Sequence, residues 1–345
     1  MIRGAQSNPA GRFERLEVTF DPADLPPDEE RPDPRTEFYQ DSSKSIISTN
    51  DSPDVPMDAT VNPYRGCEHG CIYCYARPYH EYLGLSAGVD FEQRIFVKAQ
   101  APALLRSELM AKSWTPRRIG LSGVTDPYQP VERRLQLTRG CLEVLAEFRN
   151  PIVIITKNRL VTRDIDVLRS LADHHAAQVF LSITTLDDGL AQVMEPRASR
   201  PALRLEAVRV LADAGVPVGV MVAPIIPGLT DHEVPAILDA AAAAGAFTAG
   251  HNVVRLPHGV KDLFAEWLAA HVPHRKEKVL NRLRSMRDGK LNDSAFGARM
   301  VGAGPFADSI HQMFELHCRK VGLTQRLTLS TTAFRRPGQL DLFGR

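Results

Sequence analysis

Short apolar, β-branched runs alternate with longer amphipathic runs from about residue 61 to residue 257, and this alternation limits the chain to few folds. Strands linked by helical crossovers form parallel β/α units. Six units within roughly 190 residues fit a partial or open barrel better than a complete eightfold one. The predicted strands are residues 94–97, 118–121, 152–156, 179–184, 216–222 and 248–256. The predicted helices are residues 75–83, 101–112, 135–148, 162–174, 202–214 and 231–244.

The regions on either side of this segment differ from it in composition. Residues 1–60 are rich in Pro, Asp, Glu, Ser and Asn and have few apolar residues, so we expect a flexible or extended arm. After residue 257 the strand pattern stops, and residues 258–325 are predicted to form a helical extension, with helices at about 261–287 and 305–321. Residues 326–345 are predicted to form a flexible tail.

Charge and hydropathy narrow the range of partners. No apolar run reaches the length that a membrane helix needs, and the first fifteen residues have no apolar signal-peptide core. We therefore expect a cytoplasmic protein without a membrane partner. The net charge is only +1, but residues 251–345 contain 16 Lys/Arg and 8 Asp/Glu. This basic part is compatible with a nucleic-acid partner, and equally with a solvated helical face.

Three of the five cysteines, Cys67, Cys71 and Cys74, lie within eight residues with the spacing CxxxCxxC. Three thiolates on one loop can hold three irons of a cubane cluster and leave the fourth iron open to a small molecule. A structural zinc site is the alternative reading of this spacing. Zinc needs a fourth ligand, which here would be His69, His80 or a distant cysteine.

The segment NPYRGCEHGCIYCYAR, residues 62–77, resembles the signature of the radical S-adenosylmethionine (SAM) superfamily, CxxxCxΦC with an aromatic Φ, here Tyr73. It is similar to the spore photoproduct lyase-like, or DNA repair photolyase-like, branch. This likeness covers most of residues 60–325, including GVTDPYQPVE, ITKN, LPHGVKDLF and GKLNDSAFGARM. The resemblance implies an α/β fold with a partial (β/α)6 TIM-like barrel, and a [4Fe–4S] cluster that binds SAM at its open iron. It also implies a reducing electron donor and cleavage of SAM to a 5′-deoxyadenosyl radical. Action on nucleic acid, in DNA repair or modification, is our first hypothesis for the function.

Polar residues follow the predicted strands, at the edge where such folds carry their chemistry. In spore photoproduct lyases a Ser and a Lys at matching strand ends contact SAM, and Ser122 and Lys157 stand there in this chain. Arg197 can pair with the SAM carboxylate or be an ordinary surface arginine. The candidate SAM-binding residues are Tyr73, Ser122, Thr125, Asp126, Lys157, Ser182, Thr184 and Arg197.

The chain departs from that branch in one respect. Spore photoproduct lyases carry a hydrogen-donor Cys directly before that Ser, and here Leu121 stands at the position. Cys141 and Cys318 lie in helical patterns and are predicted to be buried structural residues. Repair of thymine dimers by the known route is therefore not expected. A radical SAM enzyme that modifies a protein, peptide or small molecule is one alternative, and a non-catalytic Fe–S redox sensor or scaffold is another.

The chain ends in QLDLF, which resembles the peptide by which bacterial proteins dock on the DNA polymerase sliding clamp. Leu340, Leu342 and Phe343 are large apolar groups that can enter a pocket, and Gln339 can supply a directional hydrogen bond. The alternative is a tail that folds back and buries Leu342 and Phe343 on its own core. Docking would bring the enzyme to DNA that is being replicated or repaired.

Overall fold

The computed structural model describes Gly4, Ala5, Ser7 and residues 36–338 of the chain. Its ten strands are β1 (Glu37–Gln40), β2 (Ile47–Thr49), β3 (Ala59–Val61), β4 (Tyr64–Arg65), β5 (Arg94–Val97), β6 (Ile119–Leu121), β7 (Ile152–Thr156), β8 (Ala177–Ser182), β9 (Val218–Ile225) and β10 (Thr248–Val253). They form a seven-stranded sheet with the order β10-β9-β8-β7-β6-β3-β2, and a three-stranded sheet with the order β1-β5-β4.

In the larger sheet β3 and β6 to β10 run parallel, while β2 pairs with β3 in the antiparallel direction. Strands β10 and β2 form opposite edges, so the six parallel strands make an open α/β arrangement, which confirms the predicted fold class. Strand β7 reads IVIIT and is buried over most of its length, as a central strand covered on both faces must be. The carboxyl ends of the six parallel strands meet at one edge, which we call the rim.

Residues 94–97 form a strand as predicted, but they lie in the smaller sheet, where β5 pairs with β1 and β4. The expectation that they supply one of the six barrel strands was wrong. The first parallel strand is β3, which is only three residues long and pairs with β6. Its sequence, ATV, is too short to show a periodic hydrophobic pattern. It is a strand because segments distant in sequence supply its backbone hydrogen bonds.

The helices of the described chain cover the larger sheet and extend beyond it. They are α1 (Asp90–Gln93), α2 (Ala101–Met110), α3 (Glu132–Leu135), α4 (Leu137–Phe148), α5 (Ile165–Ala172), α6 (Asp188–Met194), α7 (Pro201–Asp213), α8 (Val234–Ala243), α9 (Val260–His271), α10 (Pro273–Ser285), α11 (Ala298–Val301) and α12 (Pro305–Val321), with 3₁₀ segments at Arg77–Leu83, Arg159–Asp164 and Asp231–Glu233. Helices α9, α10 and α12 occupy the predicted C-terminal helical region. Within the described ranges, no helix combines the length and the apolar character that crossing a bilayer requires.

Two predicted helices have different boundaries in the structure. The helix predicted at 135–148 is divided by Gln136, whose φ of 51° lies in the left-handed region and ends α3 before α4 begins. The helix predicted at 75–83 is the 3₁₀ segment Arg77–Leu83. Both differences depend on backbone conformation, which the spacing of apolar residues does not predict.

Both terminal regions contain more order than their composition predicted. Residues 36–60 contribute β1, β2 and the start of β3, because other strands supply the backbone partners. At the other end, the N–H of Ser330 donates to the His175 carbonyl and the N–H of Arg335 to the Phe148 carbonyl, each at 2.9 Å. Both carbonyls lie just before a strand begins, so residues 330–335 of the predicted flexible tail pack along the sheet edge opposite the rim.

Candidate functional site

The three cysteines lie on the loop between β4 and the 3₁₀ segment Arg77–Leu83, residues 66–76, which we call the cysteine loop. Cys67 is buried, Cys71 and Cys74 are partly buried, and all three are free thiols. Gly66 and Gly70 have φ values of 79° and 67°, which residues with a side chain rarely adopt. The loop therefore turns sharply just before Cys67 and again just before Cys71.

The arrangement of the thiols fits an iron–sulfur cluster better than a single zinc ion. Among the described residues, no three His, Cys, Asp or Glu side chains converge as the ligands of one metal ion do. Zinc, with Zn–S bonds of about 2.3 Å, needs its sulfur ligands within about 4 Å of each other. Burial raises the pKa of Cys67, Cys71 and Cys74, so their thiolate forms need a cationic partner such as iron. Three thiolates on one loop match a cubane with one open iron.

Arg77 holds the backbone of the cysteine loop from behind Cys74. Its fully buried guanidinium donates to the Gly70 carbonyl at 3.3 Å and to the Cys71 carbonyl at 2.9 and 3.0 Å. It also pairs with Glu92 Oε1 at 2.5 Å. Because a buried ion pair is costly to break, this contact fixes the conformation of the loop. Sequence reasoning did not identify either residue, since nothing local distinguishes them from surface charges.

Glu92 also holds a short N-terminal segment against the cysteine loop. The backbone N–H of Ala5 donates to Glu92 Oε1 at 2.7 Å, and that of Gly4 donates to Oε2 at 3.2 Å. Ala5 is buried, and a Cβ at Gly4 would overlap the Gly70 carbonyl oxygen. Only glycine fits at position 4 while these bonds are made, so the segment acts as a brace for the loop.

Replacing Gly4 with valine is expected to detach this brace. The two N–H donors then leave the Glu92 carboxylate, and each hydrogen bond to a charged group contributes about 1.5–3 kcal/mol. We expect reconstituted protein to release iron to a chelator on the order of ten times faster than wild type, because about 1.4 kcal/mol corresponds to a factor of ten. The control is Ser7→Ala, which removes only an exposed hydrogen bond to Glu266. Equal release rates for G4V and wild type would rule out a bracing role.

His69 ties the cysteine loop to two neighbouring strand ends at the rim. Its Nδ1 lies 3.3 Å from Asp126 Oδ2, and its Nε2 lies 3.2 Å from the side-chain amide nitrogen of Asn158. Asp126 also accepts from the Thr156 hydroxyl at 2.7 Å and from the Lys157 N–H at 2.9 Å. Burial acts to raise the pKa of Asp126, but His69 and these donors hold it below its ordinary value. Both nitrogens of His69 are thus engaged within the protein, which leaves neither for a metal ion.

Two other candidate SAM-binding residues contact the cysteine loop. The Thr125 hydroxyl donates to the Gly66 carbonyl at 2.6 Å. Arg197 pairs with Glu68 Oε1 at 2.9 Å, and its N–H donates to the His69 carbonyl at 3.1 Å. One guanidinium nitrogen of Arg197, Nη1, is buried without a partner among the described atoms. Thr125 and Arg197 therefore position the loop, and Arg197 retains one donor for a ligand.

Tyr73, the aromatic residue of the cysteine motif, is held by a buried polar cluster. Its hydroxyl donates to the Glu195 carboxylate and lies 3.2 Å from the Thr184 hydroxyl, which donates to the same carboxylate at 2.7 Å. Arg204 forms an ion pair with Glu195. Burial acts to raise the pKa of Glu195, but Arg204 and Lys157 lower it to about 2. Sequence reasoning did not identify Glu195 or Arg204 as site residues, because only the fold brings them beneath Tyr73.

Three of the candidates have an ammonium or hydroxyl group at the rim that makes at most one weak hydrogen bond with the described residues. Lys157 Nζ lies 3.3 Å from the Ala223 carbonyl and 5.7 Å from the centre of the Tyr73 ring. Ser122 follows β6 and Ser182 ends β8, and their hydroxyls make no hydrogen bond with the described residues. An ammonium and two hydroxyls at the rim suit the carboxylate, amino and ribose groups of SAM.

The clamp-binding prediction falls outside the part of the chain that the structure describes. Its residues are Gln339, Leu340, Leu342 and Phe343. It stays a prediction from the sequence.

Comparison with known proteins adds to this geometry. The family model described as "Radical SAM superfamily" matches residues 61–241. The protein Rv2578c of Mycobacterium tuberculosis, described as uncharacterized, is 37% identical over 252 residues, which cover 72% of this chain and 73% of that protein. A radical SAM Nalpha-GlyT isomerase of Pseudomonas phage M6 is 22% identical over 297 residues, which cover 83% of this chain and 57% of the phage protein.

The fold is similar to that of solved structures. A spore photoproduct lyase variant with bound AdoMet and dinucleoside spore photoproduct aligns with a TM-score of 0.57 over 82% of this chain and 78% of that chain. The sequence identity in this alignment is 16%, so the likeness is one of fold.

Proposed function

The chain belongs to the radical SAM superfamily, and from this premise we propose that the radical formed at its site acts on a nucleic acid. The protein is an enzyme, and its cofactors are a [4Fe–4S] cluster and SAM. When bound, these groups supply a 5′-deoxyadenosyl radical, which takes a hydrogen atom from the substrate. The protein supplies the ligands, the position of SAM and the shape of the site.

The observation that carries the assignment of roles is the position of the cysteine loop beside the ends of β6 and β7. In the proposed arrangement, Cys67, Cys71 and Cys74 hold three irons. Lys157 and Ser122 then hold the polar groups of SAM, because the Lys157 ammonium lies 5.7 Å from the Tyr73 ring of the loop and the Ser122 hydroxyl follows β6 at the rim. Glu195 and Arg204 act through Tyr73, whose ring position they hold.

Two features support nucleic acid as the substrate class. Helix α10 contains five Lys/Arg and one acidic residue, and the chain after residue 250 has twice as many basic as acidic residues. The solved structures of similar fold include a spore photoproduct lyase complexed with dinucleoside spore photoproduct. Phosphate contacts need Lys and Arg, so the charge pattern is the one such a substrate requires.

The proposal does not include the reaction of spore photoproduct lyase. The resemblance places a hydrogen-donor cysteine directly before Ser122, and this chain has Leu121 there, fully buried in β6. The two cysteines outside the loop, Cys141 and Cys318, lie in helices α4 and α12 and are buried. A thiol next to Ser122 is thus not part of the chemistry that we propose.

The test is the yield of 5′-deoxyadenosine from anaerobically reconstituted protein, dithionite and SAM, with different macromolecules added. Sheared genomic DNA, before and after ultraviolet irradiation, and transfer RNA are compared with a tryptic peptide pool and with nuclease-digested DNA. At least one intact nucleic acid is expected to raise the rate on the order of tenfold, because substrate binding completes the catalytic arrangement. Acceleration by peptides alone, or by nothing, would contradict action on nucleic acid.

A further inference from the structure

A group of arginines lies at the rim beyond β10, next to the cysteine loop. Arg255 stands two residues after the end of β10. Its guanidinium carbon lies 5.6 Å from the centre of the ring of Tyr75, the residue that directly follows Cys74. Tyr75 is 45% exposed, which is unusual for a large aromatic residue beside a buried site. The arginine and the tyrosine therefore form one surface at the edge of the candidate active site.

Arg255 and Arg287 have buried donors that no group of the described protein accepts. Arg255 Nη1 lies 3.4 Å from the sulfur of Met300, a weak acceptor, and its Nε is buried without a partner. Arg287 is 3% exposed and donates to the carbonyls of Val254 at 2.7 Å and Leu291 at 3.1 Å, but its Nε is also unpartnered. Neither guanidinium forms an ion pair with a described carboxylate, whereas the nearby Arg299 pairs with Asp54.

Two neighbouring cations are thus partly desolvated without a direct ion pair to a described carboxylate. Burial, with the charge of Arg255 added, lowers the pKa of Arg287 to about 10, although Asp293 acts in the opposite direction. Burial and the charge of Arg299 likewise lower the pKa of Arg255. Buried charges in proteins are normally paired, because an unpaired one costs several kcal/mol. An anion bound at the partly buried Arg255 guanidinium would supply a counter-charge close to both arginines.

The surroundings indicate which anion fits. Tyr79 and Tyr82 continue the exposed aromatic row beyond Tyr75, with 52% and 66% of their surfaces accessible. On the other side, Lys278 and Arg282 of α10 pack against Gly228 in the loop after β9, so the basic helix flanks the same rim. A polynucleotide carries phosphates, which arginine binds, and bases, which stack on tyrosine rings. Because every base has an aromatic face, such stacking does not depend on the sequence.

We propose that Arg255 binds a backbone phosphate of a polynucleotide, that the buried charge of Arg287 adds to the attraction from the protein interior, and that Tyr75 stacks on the adjacent base. This inference rests on the proposed function and names the part of the site that holds the substrate. The phosphate is held beside Cys74, so the neighbouring nucleotide lies within reach of the cysteine loop. Helix α10 extends the track for the phosphates that follow.

The test is fluorescence anisotropy of a labelled twelve-nucleotide single-stranded DNA with the reconstituted full-length protein, measured over a range of salt concentrations. Arg255→Met is expected to weaken binding about tenfold and to reduce the slope of log affinity against log salt by about 1. Arg255→Lys is expected to keep the slope, since it keeps the charge. The matched control is Arg209→Met, which removes an exposed arginine of α7 and is expected to leave affinity and slope unchanged.

A stability measurement separates this role from a structural one. Removing an unpaired buried cation relieves desolvation and repulsion, so R255M is expected to melt no lower than wild type without DNA. A lower melting temperature for R255M, with DNA affinity equal to that of R209M, would overturn the proposal. The melting temperature is also compared in sodium phosphate and in chloride of equal ionic strength. If phosphate raised the melting temperature of wild type but not of R255M, and the DNA affinity of R255M were unchanged, the site would bind free phosphate. That result would also overturn the proposal.

These measurements also distinguish a failure of the phosphate site from a failure of the proposed function. Wild-type protein that makes 5′-deoxyadenosine faster with DNA, but whose R255M and R209M variants bind DNA equally, would refute this phosphate site alone. Wild type that binds no oligonucleotide at any salt concentration would refute both the site and the nucleic-acid substrate.

Discussion

Replacing Cys67, Cys71 and Cys74 together with alanine is expected to abolish both bound iron and 5′-deoxyadenosine formation. In the proposed arrangement the three free thiols of the cysteine loop are the cluster ligands, and the difficult chemistry belongs to the cofactor. The rate of SAM cleavage is therefore expected to fall by at least on the order of 10³-fold, to the background of the assay. Iron and sulfide content after anaerobic reconstitution, and chromatographic detection of 5′-deoxyadenosine, measure the two effects.

The matched control replaces the two cysteines outside the loop. Cys141→Ala/Cys318→Ala removes two buried thiols from α4 and α12, with a cost of about 1 kcal/mol each for the small cavities. This variant is expected to bind a full complement of iron and to cleave SAM. If the triple variant cleaved SAM at the wild-type rate, the cysteine loop would not be the cluster site.

Replacing Glu195 with glutamine is expected to give a large loss of stability. The substitution keeps the shape of the side chain but leaves the guanidinium of Arg204 buried without its counter-charge. Breaking a buried pair by removing one partner costs about 3–5 kcal/mol. Tyr73 also loses the carboxylate that accepts its hydroxyl proton. Urea unfolding at pH 7, followed by tryptophan fluorescence, measures the change in the free energy of unfolding.

The pH dependence of this effect has a defined sign. The pKa of Glu195 is about 2 in the folded protein, below the roughly 4.3 of an unfolded glutamate. The advantage of wild type over E195Q is therefore fully present above about pH 5 and declines as the pH falls through 4 toward 2. The control is Glu206→Gln. Glu206 Oε2 lies 3.7 Å from Arg159 Nη1 in a partly exposed pair, so this substitution is expected to cost less than about 1 kcal/mol. Equal losses for E195Q and E206Q would contradict the role of the buried pair.

The sequence determined the chemistry of the site because that chemistry is local. Three cysteines on one loop reach a common cluster whatever the rest of the chain does, so their spacing alone predicts the ligand set. The apolar runs at 152–156 and 179–184 marked β7 and β8, because a buried parallel strand is apolar on both faces. The positions of Ser122 and Lys157 at the rim followed from the rule that loops after parallel strands meet at one edge.

Only the tertiary structure decided what supports and surrounds the loop. Glu92 serves Arg77 and the N-terminal Gly4, which is 88 residues away along the chain. Glu195 lies beneath Tyr73, from which it is separated by 122 residues. A buried charge must keep its partner, so it fixes the position of the residues that it contacts. Whether a charge is buried depends on which distant segments pack over it. A single sequence has no period or spacing that reports such contacts.

The same physical reason separates β5 from β3. An apolar run indicates that a segment is a strand. It does not indicate which strand will be its neighbour, because strands pair through backbone hydrogen bonds that are the same for every side chain. The run at 94–97 was therefore recognised as a strand and assigned to the wrong sheet, while the three residues of β3 were missed. The sequence by itself determined which residues can do the chemistry. The fold decided which strands meet, which charges are buried in pairs, and which two arginines at the rim lack an ion pair among the described residues.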